Sequence, residues 1–120
     1  MPLKVAGAFH SQIMAPAAEG LARELETVQF RTPNRPVVAN VDGKCYADAS
    51  EIPGKLLAQL TSAVRWQQSM EFLIGQGIRQ FQEIGPGRVL AGLMRRIDRQ
   101  AEVTSLNSRE AIEKMYKAIV

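Results

Sequence analysis

Arg79-Gln80-Phe81-Gln82-Glu83-Ile84-Gly85-Pro86-Gly87-Arg88-Val89-Leu90-Ala91-Gly92-Leu93 is the stretch that decides the class of this fold. Residues 79–84 read as a strand and Gly85-Pro86-Gly87 as a tight turn. From Val89 onward Val89, Leu90, Leu93, Met94 and Ile97 recur at helical spacing, which predicts a helix with those residues facing inward. Strand, tight turn and helix in that order form the local unit of α/β proteins.

Downstream, Glu102 to Leu106 predicts a short strand, and Ser108 is placed to cap a closing helix with Ile112, Met115 and Ile119 on its buried side. Upstream, Ser50 is a candidate N-cap for a helix through Ile52, Leu56, Leu57 and Leu60, with Pro53 in the first turn, where a missing N–H costs little. A second helix is expected from near Val64 and Arg65, with Trp66, Met70, Leu73 and Ile74 on its apolar face and Gly77 as a left-handed stop. Val37 to Val41, apolar and β-branched before the turn signal Asp42-Gly43, reads as one buried strand. Residues 13–28 predict an amphipathic helix with an i,i+4 pair, Glu19 and Arg23. Helices alternating with three short strands predict an α/β protein with a mostly parallel sheet flanked by helices. Such a small sheet leaves its edges poorly protected, so the chain is expected to be a piece of something larger.

Composition sets the outer bounds. In 120 residues, 46% hydrophobic and 22% charged, there is material for a packed core, which argues against a disordered chain. No apolar stretch approaches a bilayer span and residues 1–6 hold no long apolar signal region, so no membrane anchor is expected. A single cysteine, Cys45, cannot form an internal disulfide, and a reducing, cytoplasmic setting follows as the expectation. The net charge of +3 is mild and interspersed, and does not argue for nucleic-acid binding.

His10 is the only histidine, in a loop that enters the first helix, and is the candidate general base; the competing reading is an ordinary surface or capping histidine. Ser11 is too close in sequence to form a dyad with it and reads as an N-cap, and no G-x-S-x-G elbow occurs in the sequence. Gly85-Pro86-Gly87 lacks the lysine and length of a P-loop, so a simple tight turn is favoured over an anion site. Arg88, Arg95, Arg96 and Arg99 are concentrated on the helix that follows, with Arg88, Arg95 and Arg99 roughly on one side: a solvated face, or a dock for an acidic protein or a CoA phosphate. Cys45 has no second cysteine or further histidine to share a metal with, and no cofactor or metal is expected.

Four blocks, in order and at matching spacing, bear on the choice between these readings: Gly7-Ala8-Phe9-His10-Ser11-Gln12-Ile13-Met14; Pro36-Val37-Val38-Ala39-Asn40-Val41-Asp42; Gln59-Leu60 with Val64-Arg65-Trp66; and Glu83-Ile84-Gly85-Pro86-Gly87-Arg88-Val89-Leu90-Ala91-Gly92-Leu93. Together they resemble the malonyl-CoA:acyl-carrier-protein transacylases of fatty-acid synthesis over nearly the whole chain. The resemblance implies that His10 is the general base for a nucleophilic serine, and that a carbonyl contributed by Gln59 steadies it. It further implies malonyl-CoA and the phosphopantetheine thiol of acyl carrier protein as substrates, and an α/β-hydrolase-like core of which residues 1–120 form a C-terminal part. That part would lack most of the family's ferredoxin-like subdomain.

The family's Gly-His-Ser-Leu-Gly elbow, the glutamine-rich turn of its oxyanion hole and its carboxylate-gripping arginine are not matched in this sequence. The chain is therefore expected to be a fragment, inactive by itself, with a complementary N-terminal chain as a candidate partner. Two alternatives stay open at this point: a non-catalytic module that binds carrier protein through the arginines after Gly87, and a piece of a polyketide synthase acyltransferase domain.

Overall fold

The structure is a computed structural model and describes residues 7–119, with side chains through Lys117. The expected burial of Ile119 and the character of residues 1–6 fall outside the described residues. The chain divides into two compact units, one ending at Ser69 and the other beginning at Met70.

In the first unit a 3₁₀ helix, Gln12–Ala17, leads into helix α1, Ala18–Glu26, and both pack against helix α2, Glu51–Thr61. The single helix expected over residues 13–28 is thus split and shorter. Pro16 lies inside the 3₁₀ segment and has no N–H to give, which favours the tighter winding there. The predicted Glu19–Arg23 pair forms at 2.8 Å, fully on the surface. At the start of α2, Asp48 accepts from both the amide and the hydroxyl of Ser50, and Glu51 reaches back to the Ala47 amide. Ser50 is at the N-cap position as expected, but its hydroxyl serves Asp48 and makes no cap bond.

Residues 37–41 do not form the expected strand. They fold back across Asp42-Gly43 into one antiparallel bridge, Val38 with Cys45, supported by the Ala39 amide on the Lys44 carbonyl (2.8 Å) and the Tyr46 amide on the Val37 carbonyl (3.0 Å). Gly43, at φ +69°, makes the turn, and a Cβ there would sit 3.3 Å from the Gln68 side chain. The Arg65 amide donates to the Asn40 carbonyl at 2.7 Å, so this arm also carries the start of helix α3, Trp66–Gly75. Ala39 and Ser69 are buried in this unit, and the Ser69 hydroxyl returns to the Arg65 carbonyl.

Gly77, at φ +84°, closes α3 as predicted: its amide reaches the Ile74 carbonyl, and the Ile78 amide reaches that of Leu73. The second unit then runs through strand β1, Gln80–Ile84, helix α4, Val89–Ile97, strand β2, Glu102–Leu106, and helix α5, Arg109–Ile119. β1 and β2 pair in parallel, Gln80 opposite Glu102 through Ile84 opposite Leu106, with α4 as the crossover that a parallel pair requires. The sheet has two strands among the described residues, not three. Ser108 caps α5 through its hydroxyl and the Ala111 amide, as expected.

The inward faces expected of α4 and α5 are only partly realised. Met94 and Leu106 are buried, yet Val89 is 70% exposed, Leu90 41%, Leu93 37% and Ile112 45%. Apolar stripes of this kind are the signature of a surface that packs against further polypeptide. What holds the second unit is polar: Glu83, 8% exposed, accepts from the amides of Leu90 (2.8 Å) and Ala91 (3.1 Å) and from the Ser105 hydroxyl (3.2 Å). One carboxylate therefore joins β1, the first turn of α4 and β2. It also supplies negative charge where the helix amides are unpaired.

Burial opposes the charge on Glu83, but the Leu90 and Ala91 amides, the Ser105 hydroxyl and nearby Arg88 outweigh it and hold the carboxyl below its ordinary range. The stability it contributes is present above the unfolded glutamate value and is lost as pH falls through the lower folded value. Glu83→Gln is expected to lower the urea midpoint at neutral pH and to flatten the loss of stability on acidification. Urea titrations at a series of pH values measure both.

Candidate active site

His10 sits just ahead of the 3₁₀ helix with φ +59°, a left-handed conformation that non-glycine residues adopt at an energetic cost. Its side chain is exposed, and Nδ1 lies 2.9 Å from the backbone carbonyl oxygen of Gln59. That carbonyl belongs to the last turn of α2, where C=O groups lack the amide partner of a continuing helix; its other contact is a long one, 3.4 Å from the Ser62 amide. An N–H on the imidazole completes it.

The tautomer follows from this network. A carbonyl oxygen only accepts, so the 2.9 Å contact requires the proton on Nδ1. The Gln59 side-chain amide lies 3.4 Å from the same nitrogen, but it is committed at 2.7 Å to the Ser62 carbonyl. Nε2 then carries the lone pair and has no partner among the described residues. The exposed ring thus leaves Nε2 open, and the carboxyl end of α2 presents partial negative charge to its Nδ1 side. Gln59 Oε1 is buried and has no partner among the described residues.

Of the other sequence candidates, Ser11 does not cap with its side chain: the hydroxyl donates to the Ala8 carbonyl at 2.6 Å, helping to fold the loop that carries His10. Gly85-Pro86-Gly87 is a tight turn, with Gly85 at φ +135° and Gly87 at φ +89°. Its potential as an anion cradle is taken up internally, because Glu83 occupies the α4 amides and the Gly85 amide donates to the Leu106 carbonyl. Arg99 lies beyond the end of α4 rather than on it, but Arg88, Arg95 and Arg99 line a single open concavity with Ala91, Gly92, Ala101 and Val103. Cys45 is a free thiol in the antiparallel bridge. Among the described residues no group of three or more His, Cys, Asp or Glu is placed to hold a metal, and no helix is long and apolar enough to cross a membrane. The left-handed backbone at His10 was missed in the sequence; the one available signal was residue type, since histidine is among the non-glycine residues that take positive φ more often than most.

The helices and the small parallel sheet define an α/β fold that matches those of solved malonyl-transacylases. The chain is homologous to one segment of the malonyl-CoA:acyl-carrier-protein transacylases. The transacylase of Salmonella typhimurium is 43% identical over 112 residues, 93% of this chain and 36% of the relative, and that of Bacillus subtilis is 39% identical over 113 residues, 94% of this chain and 36% of the relative. A malonyl-transacylase solved in complex with a type II polyketide synthase acyl-carrier protein superposes with a TM-score of 0.88 at 40% identity, over 98% of this chain and 38% of that one. The chain thus spans little more than a third of the length of the relatives it matches. No protein-family model matches it.

If the His10 backbone is held left-handed as described, His10→Gly is expected to exceed His10→Ala in stability by about 1 kcal/mol, because only glycine takes that conformation freely. Thermal or urea unfolding of the two variants checks this.

Proposed function

We propose that the chain contributes the general-base part of a malonyl-CoA:acyl-carrier-protein S-malonyltransferase of fatty-acid biosynthesis, working in the cytoplasm. The supporting observation is the 2.9 Å contact from His10 Nδ1 to the Gln59 carbonyl, which leaves Nε2 open as a base. In this reading Nε2 takes the proton of a serine hydroxyl supplied by polypeptide outside this sequence. The serine oxygen bonds to the malonyl carbonyl carbon, the C–S bond to CoA breaks, and the proton on Nε2 passes to the departing thiolate. The phosphopantetheine thiol of carrier protein then gives its proton to Nε2, its sulfur bonds to the malonyl carbon, and the serine leaves with that proton. His10 is the catalytic base and Gln59 orients it.

The sequence holds no G-x-S-x-G elbow, so in this reading residues 1–120 form a C-terminal part of the acyltransferase domain and are inactive by themselves. The exposed apolar faces of α4 and α5 support a role beside further polypeptide, joined to the chain or separate. A polyketide synthase setting would use the same chemistry with a different carrier.

A second reading rests on the concavity lined by Arg88, Arg95 and Arg99. Arg95 and Arg99 pair with no carboxylate among the described residues, which suits a surface that meets an acidic protein such as acyl carrier protein. Arg95→Glu with Arg99→Glu is expected to abolish carrier binding. The wild-type affinity should fall steeply between low and physiological salt, as titration calorimetry at two ionic strengths would show.

Intact-mass analysis tests the main reading. Incubated alone with malonyl-CoA and carrier protein, the chain should leave both proteins unmodified. With the upstream region of a homologous transacylase added, serine and carrier protein should gain malonyl groups, about 10²–10⁴-fold more slowly with His10→Ala. Malonylation of carrier protein by the chain alone would overturn the mechanism.

A further inference from the structure

Lys55 lies on α2 one turn before Gln59, and its ammonium is drawn into the unit rather than out to solvent, the side chain being 19% exposed. Nζ is 3.2 Å from Asp42 Oδ2 and 3.2 Å from Glu51 Oε2, 3.5 Å from the Cys45 carbonyl and 5.1 Å from the centre of the Tyr46 ring. Glu51 belongs to α2 itself, whereas Asp42, Cys45 and Tyr46 all belong to the folded-back arm. The ammonium therefore ties the helix to the arm at a fixed point along the helix axis. Burial disfavours its charge, but the two carboxylates outweigh that and raise the Lys55 pKa.

This tie matters because no side chain of α2 is fully buried and Ile52, Leu57 and Leu60 are only half-buried, so packing by itself restrains the helix weakly along its axis. Lys55 and Gln59 line the same small cavity, about 120 Å³, whose other wall is Val37 to Val41 of the arm. At 1.5 Å rise per residue the two positions are roughly 6 Å apart on one helix face, so a slip of α2 along its axis at Lys55 is a slip of the Gln59 carbonyl. A displacement of about 1 Å would carry that carbonyl out of hydrogen-bonding range of His10 Nδ1.

We propose that Lys55 is a positioning residue for the His10 base, holding α2 against the 37–46 arm so that the Gln59 carbonyl meets Nδ1 and selects the tautomer with Nε2 free. The proposal rests on the reading of His10 and Gln59 given above. Lys55 itself touches no reacting atom; it acts through the helix.

His10 is the only histidine in the sequence, so its imidazole ¹⁵N signals need no assignment, and the tautomer can be read by NMR at alkaline pH. The parent chain is expected to show mainly the Nδ1–H form, with slowed exchange of that proton. Lys55→Met, which keeps the aliphatic stem but loses the charge, should make the Nδ1–H form minor, while far-UV circular dichroism stays that of the parent. Asp42→Asn retains an oxygen for the Lys44 amide that Asp42 now serves at 3.0 Å and removes only the charge facing Lys55; it should shift the tautomer in the same direction. Lys55→Arg should restore the parent form. If Lys55→Met does not fold, Asp42→Asn decides alone. Unchanged tautomer populations in a folded Lys55→Met or Asp42→Asn variant would overturn the positioning role and leave the His10 assignment standing. A parent chain without the Nδ1–H form would overturn the assignment itself.

Discussion

A helix that stops leaves carbonyls with nothing to accept, and in this chain one of them is turned to use. Because α2 ends at Thr61, the Gln59 carbonyl has only a long contact from the Ser62 amide and is free to take the Nδ1 proton of His10. The tautomer, the direction of the open Nε2 and the electrostatic setting of the ring all depend on that bond. Around it the first unit is built to hold two things still: the His10 loop, bent left-handed and pinned by Ser11 on the Ala8 carbonyl, and α2, tied through Lys55 to the arm that carries Asp42.

The second unit solves the complementary problem. The start of α4 has amides without acceptors, and Glu83 fills them from the adjacent strand while also taking the Ser105 hydroxyl. The Gly85-Pro86-Gly87 turn is thus closed from within. The same carboxylate compensates for a thin core, since Met70, Met94 and Leu106 are the unit's buried apolar residues among those described while much of the apolar surface of α4 faces outward. In both units a helix end is satisfied by a side chain from outside the helix, and in both the bonding is polar rather than a product of deep burial.

Much of the element order was legible in residue type alone. Periodicity located α2, α3, α4 and α5, Gly77 marked a left-handed stop, Ser108 marked a cap, and β2 fell on the expected residues. The failures have physical causes. Pro16 sat inside a convincing apolar pattern and split it, because periodicity counts side chains and not backbone donors. Val37 to Val41 has the composition of a strand, but a strand needs a neighbour to pair with, and here the arm pairs only briefly with itself. The stripes on α4 and α5 are amphipathic as read, while the burial inferred from them depends on what lies against them.

The sequence by itself determined the α/β character, the family resemblance and the candidate for the base, because these rest on residue type, spacing and the presence of a single histidine. It also pointed to Gln59, through the resemblance. Only the tertiary structure decided which atom of Gln59 meets which nitrogen of His10, that His10 is held left-handed, that Glu83 closes the α4 amides, and that Lys55 faces inward between two carboxylates. Each of these is a relation between groups 4 to 49 residues apart along the chain or a backbone angle, set by how helices and arms come together in space rather than by the local pattern of side chains.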